Sequence, residues 1–126
     1  CVACHSGTLL GGTAYQKLGA VKPWPNQADL GRAALTKNDA DKFLFKVPSL
    51  RNVEKTAPYF HDGSADKLAD AIKKMAAHQL GRDLSDADAQ SIAEFLGSLT
   101  GDIPKEYIAE PQLPPSGKTT PKPDPA

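Results

Sequence analysis

The chain is poor in the residues that usually build a core. Aromatic side chains make up 6% of its 126 residues, with one Trp, and there is one Met. A chain this short buries a limited share of its surface by itself, so a large apolar cofactor at its centre would supply part of what is missing. Net charge is absent too, because 15 Lys plus Arg stand against 15 Asp plus Glu. That balance gives no support for nucleic-acid binding, which shows as a basic excess, and no pull toward an anionic membrane surface. No apolar run approaches the ~20 residues of a membrane span, and no signal peptide is present. The missing signal says little, since the chain opens abruptly inside a motif; a preceding segment, removed or omitted, is the expectation. No stretch alternates long enough to read as a strand, and no internal repeat is visible.

Chain breakers, by contrast, are plentiful: 11 Pro and 10 Gly. The length fits one domain. Residues 1–8 read as a helical turn, and 9–50 as loop punctuated by Gly11-Gly12, Gly19, Pro23-Trp24-Pro25, Gly31 and Pro48, with a short helix over Asp39–Phe43. Ser64 is the expected N-cap of a helix carrying Leu68, Ile72, Met75 and Ala76 at helical spacing, ending at Gly81. Ser85-Asp86-Ala87-Asp88 predicts a second helix that opens on a capping box. Its apolar stripe is Ile92, Phe95, Leu96 and Leu99, and Gly101 with Pro104 stops it. The two helices, joined by a short connection, are expected to pack together. From Pro111 onward, Pro, Lys, Thr and Gly dominate without aromatics, and such a segment cannot bury enough surface to offset its ordering entropy. The predicted organisation is a domain over 1–102 and an extended Pro-rich tail over 103–126. The fold class is mostly α with long loops.

Both cysteines fall in the first four residues. Cys1-Val2-Ala3-Cys4-His5 has the spacing of c-type haem attachment. On one helical turn, two thiols reach the two porphyrin vinyl groups to form thioethers, and the adjacent His offers its imidazole to the iron. A redox dithiol has no need of the His. A zinc site would need two more ligands at short spacing, and the only other histidines, His61 and His78, are distant and unpaired. On the far side of such an iron, Met raises the reduction potential, whereas an open position suits ligand chemistry. Met75 shares a helix face with Leu68 and Ile72, which also suits plain core filling. His61 and His78 compete with it, and spacing alone does not choose among the three.

Longer runs are more specific. Phe45-Lys46-Val47-Pro48-Ser49-Leu50-Arg51-Asn52-Val53, Thr56-Ala57-Pro58-Tyr59-Phe60-His61-Asp62-Gly63-Ser64 and Met75-Ala76-Ala77-His78-Gln79-Leu80-Gly81, with Cys1 to His5, resemble the bacterial dihaem cytochrome c peroxidases. The likeness is to their C-terminal, high-potential haem domain, a cytochrome c-like fold, and runs from Cys1 to about Asp102. It implies that Cys1 and Cys4 hold haem c, that His5 is the proximal ligand and that Met75 is the axial one. It also implies that the Thr56 and Pro58 carbonyls, hard oxygen donors, bind calcium at the junction of two haem domains. His61 would donate to a haem propionate, or else be a surface turn residue. Arg51 would pair with a propionate through its guanidinium fork, or else form a surface salt bridge with Glu54 or an Asp. His78 is expected solvated on the helix face, and Trp24 either covers a haem edge or fills a loop core.

The family's peroxide-reducing haem lies in an N-terminal domain with its own attachment motif, so no catalytic residue is assigned in this chain. The resemblance implies an electron-accepting domain that takes electrons from a cytochrome c or blue copper protein. It would pass them to the peroxidatic haem domain, which reduces hydrogen peroxide to water. A stand-alone monohaem electron carrier needs only Cys1 to His5 and Met75. A related branch that matures a tryptophan-derived cofactor replaces the axial Met by Tyr, and Met75 argues against it. Thioether attachment of haem takes place outside the cytoplasm, which predicts the bacterial periplasm. The family's enzymes are commonly homodimers, although no interface can be read here.

Overall fold

The computed structural model describes residues 1–124; positions 125 and 126 of the predicted tail lie outside the described residues. In chain order the elements are β1 (Tyr15–Lys17), α1 (Ala33–Thr36), β2 (Leu44–Lys46), α2 (Leu68–Leu80) and α3 (Asp86–Gly97). Single 3-10 turns lie at Asp39–Asp41 and Val53–Lys55. Regular structure is thus mostly helical, threaded through long loops, as the composition predicts.

The two strands were not expected. They pair antiparallel with Tyr15 opposite Lys46, Gln16 opposite Phe45 and Lys17 opposite Leu44. Three residues are too few to display a period-2 pattern, which is why no strand is legible in the sequence. The helix predicted over Asp39–Phe43 shortens to the 3-10 turn, capped by the Asn38 side chain accepting from the Ala40 N–H.

Ser64 does not cap α2. The helix starts at Leu68, with Lys67 at the N-cap and no side-chain cap. The cause is one residue further on: Ala65 bridges to Tyr59, its carbonyl accepting the Tyr59 N–H at 2.7 Å. Backbone committed to that extended pairing cannot begin a helix. At the other end α2 closes as predicted, on Gly81 in the left-handed region at φ 64°. A Cβ there would also lie 2.9 Å from Val21 Cγ1, so glycine answers both the turn and the close approach.

The second helix begins at the predicted N-cap, with Ser85 Oγ accepting the Asp88 N–H at 3.1 Å and donating to Asp88 Oδ2 at 2.7 Å. Its stripe differs from the expectation. Leu96 is buried and Ala89 fully so, whereas Phe95 is 56% exposed. The helix ends at Gly97, because Leu99 and Thr100 bond three residues back and tighten the chain into a different turn. α2 and α3 pack on each other.

The core is thin. Its buried members are Trp24, Ala33, Val47, Tyr59, Ala65, Ala71, Ala76, Ala89 and Leu96, more than half of them alanine. Tyr59, Ala65 and Ala71 form one cluster, with Val53, Phe60 and Leu68 packed against it. No large side chain is fully buried among the described residues, and Val2, Leu9 and Val21 stay mostly exposed. Residues 101–124 carry no helix or strand and are exposed throughout. Among the described residues no helix is long and apolar enough to cross a membrane.

Candidate haem site

The attachment motif folds as one tight turn. The Cys1 carbonyl accepts from the Cys4 N–H at 3.1 Å and from the His5 N–H at 2.8 Å. These three- and four-residue bonds set the two thiols one helical turn apart. Both are free, Cys1 exposed and Cys4 half-buried.

His5 Nδ1 lies 3.1 Å from the Pro48 carbonyl. A carbonyl only accepts, so Nδ1 carries the proton and Nε2 keeps its lone pair, the tautomer a metal-ligating imidazole adopts. Burial lowers the His5 pKa, with the ring's hydrogen bonds to the Pro48 and Leu10 backbone opposing it.

A brace of hydrogen bonds joins this segment to residues 47–51. The Gly12 N–H donates to the Val47 carbonyl at 2.7 Å, and the Leu50 N–H to the Leu10 carbonyl at 3.2 Å. Ser49 Oγ donates to the Leu9 carbonyl at 2.7 Å, and Arg51 Nε to the Thr8 carbonyl at 2.8 Å. Glycine at position 11 permits this approach. A Cβ there would sit 2.0 Å from the Pro48 oxygen, at a φ of 135° that side chains rarely adopt.

A second cluster surrounds Trp24, which is 4% exposed. Its ring meets Phe60 at 4.6 Å and His78 at 4.9 Å, both edge-on. Its Nε1–H donates to Asp62 Oδ2 at 3.1 Å, while Asp62 Oδ1 accepts the Ser64 N–H, also at 3.1 Å. Burial pushes the Asp62 carboxyl upward. The hydrogen bonds from Ser64 and Trp24 and the neighbouring His61 outweigh it and bring the pKa down to about 2. His61 stacks on Phe45 at 4.4 Å, and among the described residues its ring nitrogens have no hydrogen-bond partner. Phe45 in β2 is two residues from Val47, so one strand ties this cluster to the brace.

Met75 is half-buried on α2, three and four residues before His78 and Gln79 on the same helix face. His78 is not solvated as expected. It is half-buried, and its Nδ1 donates to the Lys22 carbonyl at 3.0 Å. Arg51 makes no ion pair among the described residues; Glu54 pairs with Lys55 instead. Thr56 and Pro58 lie outside both clusters on an exposed turn, where the Thr56 hydroxyl donates to the Val53 carbonyl at 3.0 Å.

The structure therefore gathers Cys1, Cys4, His5 and Arg51 on the brace. It sets His61 in the Trp24 cluster, and Met75 on the helix that cluster grips. Three contributors went unread in the sequence: Gly11, the Pro48 carbonyl and Gln79. Only the run of glycines at 11 and 12 carried any signal of the first.

The donor set fits a c-type haem: two unpaired thiols one turn apart, then an imidazole oriented through Nδ1. It does not fit a protein-only metal centre, because no three His, Cys, Asp or Glu gather among the described residues.

No family model matches the chain. It is 45% identical to the cytochrome c551 peroxidase of Nitrosomonas europaea over 99% of its own length and 37% of that protein. It is 44% identical to the cytochrome c551 peroxidase of Pseudomonas aeruginosa, over 98% of this chain and 36% of that protein. The chain thus spans little more than a third of these curated relatives. Among solved structures, a MauG-like protein associated with microbial copper homeostasis superposes with a TM-score of 0.58 at 24% identity, covering 81% of this chain and 42% of that one. That likeness establishes a shared fold.

Proposed function

We propose, on the premise that this chain is homologous over nearly its whole length to part of the bacterial cytochrome c peroxidases, that it is the electron-accepting haem domain of a periplasmic dihaem peroxidase. The single observation carrying the reading is the His5 Nδ1 bond to Pro48 beside two free thiols. When bound, haem c supplies a one-electron store whose potential a Met ligand raises.

The residues have separate tasks. Cys1 and Cys4 would hold the group by thioethers. His5 would offer Nε2 to the iron, with Pro48 fixing the plane of its ring. Met75 would offer its sulfur as a further ligand, and a fully ligated iron would leave peroxide reduction to the other haem domain. His61, stacked on Phe45 with its nitrogens unclaimed among the described residues, and Arg51, whose guanidinium is held among them through Nε alone, would serve the propionates. The Thr56 and Pro58 carbonyls contribute to a calcium site completed by the other domain, since oxygen ligands suit that ion.

Reduction of one peroxide to two waters consumes two electrons and two protons. A cytochrome c or blue copper protein delivers the electrons singly to this domain, and a homodimer is the expected assembly. The test is peroxide turnover by the full-length protein with a reduced c-type cytochrome as donor. Turnover that falls when calcium is chelated, and falls again in Met75→Ala, supports the reading. A single haem and no turnover would instead mark a stand-alone electron carrier.

A further inference from the structure

Gln79 makes an unusual set of hydrogen bonds for a helix residue. Its Oε1 accepts the Gly19 N–H at 2.6 Å and the Ala20 N–H at 3.1 Å. Its Nε2 donates to the Lys17 carbonyl at 3.0 Å. One carboxamide thus serves three backbone groups some 60 positions away in the chain. His78 extends the same attachment. Its carbonyl accepts the Val21 and Lys22 N–H groups at 3.0 and 3.1 Å, and its ring donates to the Lys22 carbonyl.

The last turn of α2 is therefore pinned to the 17–22 loop. That loop leads directly into Trp24, which packs against His78 and hydrogen-bonds Asp62. The other end of α2 has no side-chain cap.

We infer that Gln79 is a positioning residue for Met75, fixing the height and rotation of α2 so that the thioether stays in reach of the iron. This rests on the reading of Met75 as the axial ligand. The physical need is plain. A methionine side chain is flexible and its sulfur is a soft, weakly held donor, so the backbone one turn away must limit its range. Gln79 does so through three hydrogen bonds, the shortest of them, from the Gly19 N–H, half-buried, and a hydrophobic replacement would leave the Gly19 and Ala20 donors without their partner.

The experiment uses the haem-loaded full-length protein. It reads the sulfur-to-iron absorption band and the apparent affinity of added imidazole for this haem. Imidazole binds only where Met75 has left, so its apparent affinity scales with the fraction of displaced methionine. Gln79→Leu is expected to weaken the band and raise imidazole affinity about tenfold. Gln79→Glu keeps the acceptor and loses the donor to Lys17, so its shift should be smaller, about threefold. Ser85→Ala, which removes the α3 cap without opening a cavity against α2, should lower stability and leave both readouts unchanged.

If Gln79→Leu and Ser85→Ala are equal in both readouts, Gln79 only staples a loop and the inference fails. Should Gln79→Leu not fold, a wild-type band and affinity in Gln79→Glu overturn the proposal. Met75→Ala separates the premise from the inference: it must abolish the band, and a retained band would remove the ligand assignment itself.

Discussion

Segment 5–12 is held against residues 47–51 with backbone carbonyls as the acceptors, whereas segment 17–24 is held against α2 and Asp62 largely through side chains. In the first region the acceptors are the carbonyls of Thr8, Leu9, Leu10, Val47 and Pro48. In the second they include Gln79 Oε1 and Asp62 Oδ2. On the proposed ligation by His5 and Met75, the difference follows what each ligand needs. The proximal imidazole needs one fixed direction, which a carbonyl supplies whatever the side chain on its residue. The methionine needs its whole helix placed, which takes specific groups spread over Trp24, Asp62, His78 and Gln79. Substitutions in the brace should therefore cost most where they delete a side-chain donor, at His5, Ser49 or Arg51, or crowd Gly11, whereas in the clamp they cost most at Trp24, Asp62, His78 and Gln79.

The largest effect should come from His5→Ala, which removes the proposed proximal donor and the group bonded to Pro48. Near-complete loss of correctly assembled haem protein is expected, measured as haem absorbance per chain. Next is Gly11→Ala, the one glycine change that breaks the backbone brace. With a Cβ 2.0 Å from the Pro48 oxygen at positive φ, it should destabilise by about 3 kcal/mol or more, read by denaturant unfolding. If it is tolerated, the brace is looser than its geometry implies.

Trp24→Phe sharpens the comparison from the other side. It keeps an aromatic ring and deletes the indole donor to Asp62, and should destabilise by about 1–2 kcal/mol. It should also change the acid limb of stability. Asp62 has a folded pKa of about 2, below its ordinary value of 3.8. Its contribution is therefore complete above pH ~4 and disappears as pH falls through ~2. Without the indole the folded pKa rises toward the ordinary value and the loss between these limits shrinks. An unchanged acid limb would mean that the Trp24 bond does not hold the carboxylate.

The smallest effects should lie outside both regions. Ser85→Ala removes the α3 cap, at about 1 kcal/mol. Deleting 103–126 from the full-length protein should leave the thermal midpoint of this domain within a few degrees, because nothing from 101 to 124 is buried. A large drop would show that the tail packs on something.

What was legible in the sequence followed range. The attachment turn, the two long helices, the Gly81 stop and the Ser85 cap are all written within a few consecutive residues, and each was readable. Ser64 looked like a cap because its residue type suits one, but a distant pairing with Tyr59 claims the neighbouring backbone. The strands escaped notice because three residues carry no period. In the site, Cys1, Cys4 and His5 stood out by spacing, whereas Met75 was separable from His61 and His78 only through the resemblance. Gln79 stood only as one letter of the resembling run 75–81, with no role of its own. A glutamine on a helix reads as a solvated surface residue until the loop it serves is placed beside it.

The most direct test of the central claim is the intact mass of the native protein under denaturing conditions, which strip loose groups and retain thioether-bound haem. The account predicts one chain, well over twice this length, carrying two covalent haems, one of them on Cys1 and Cys4. A chain carrying a single haem would contradict it.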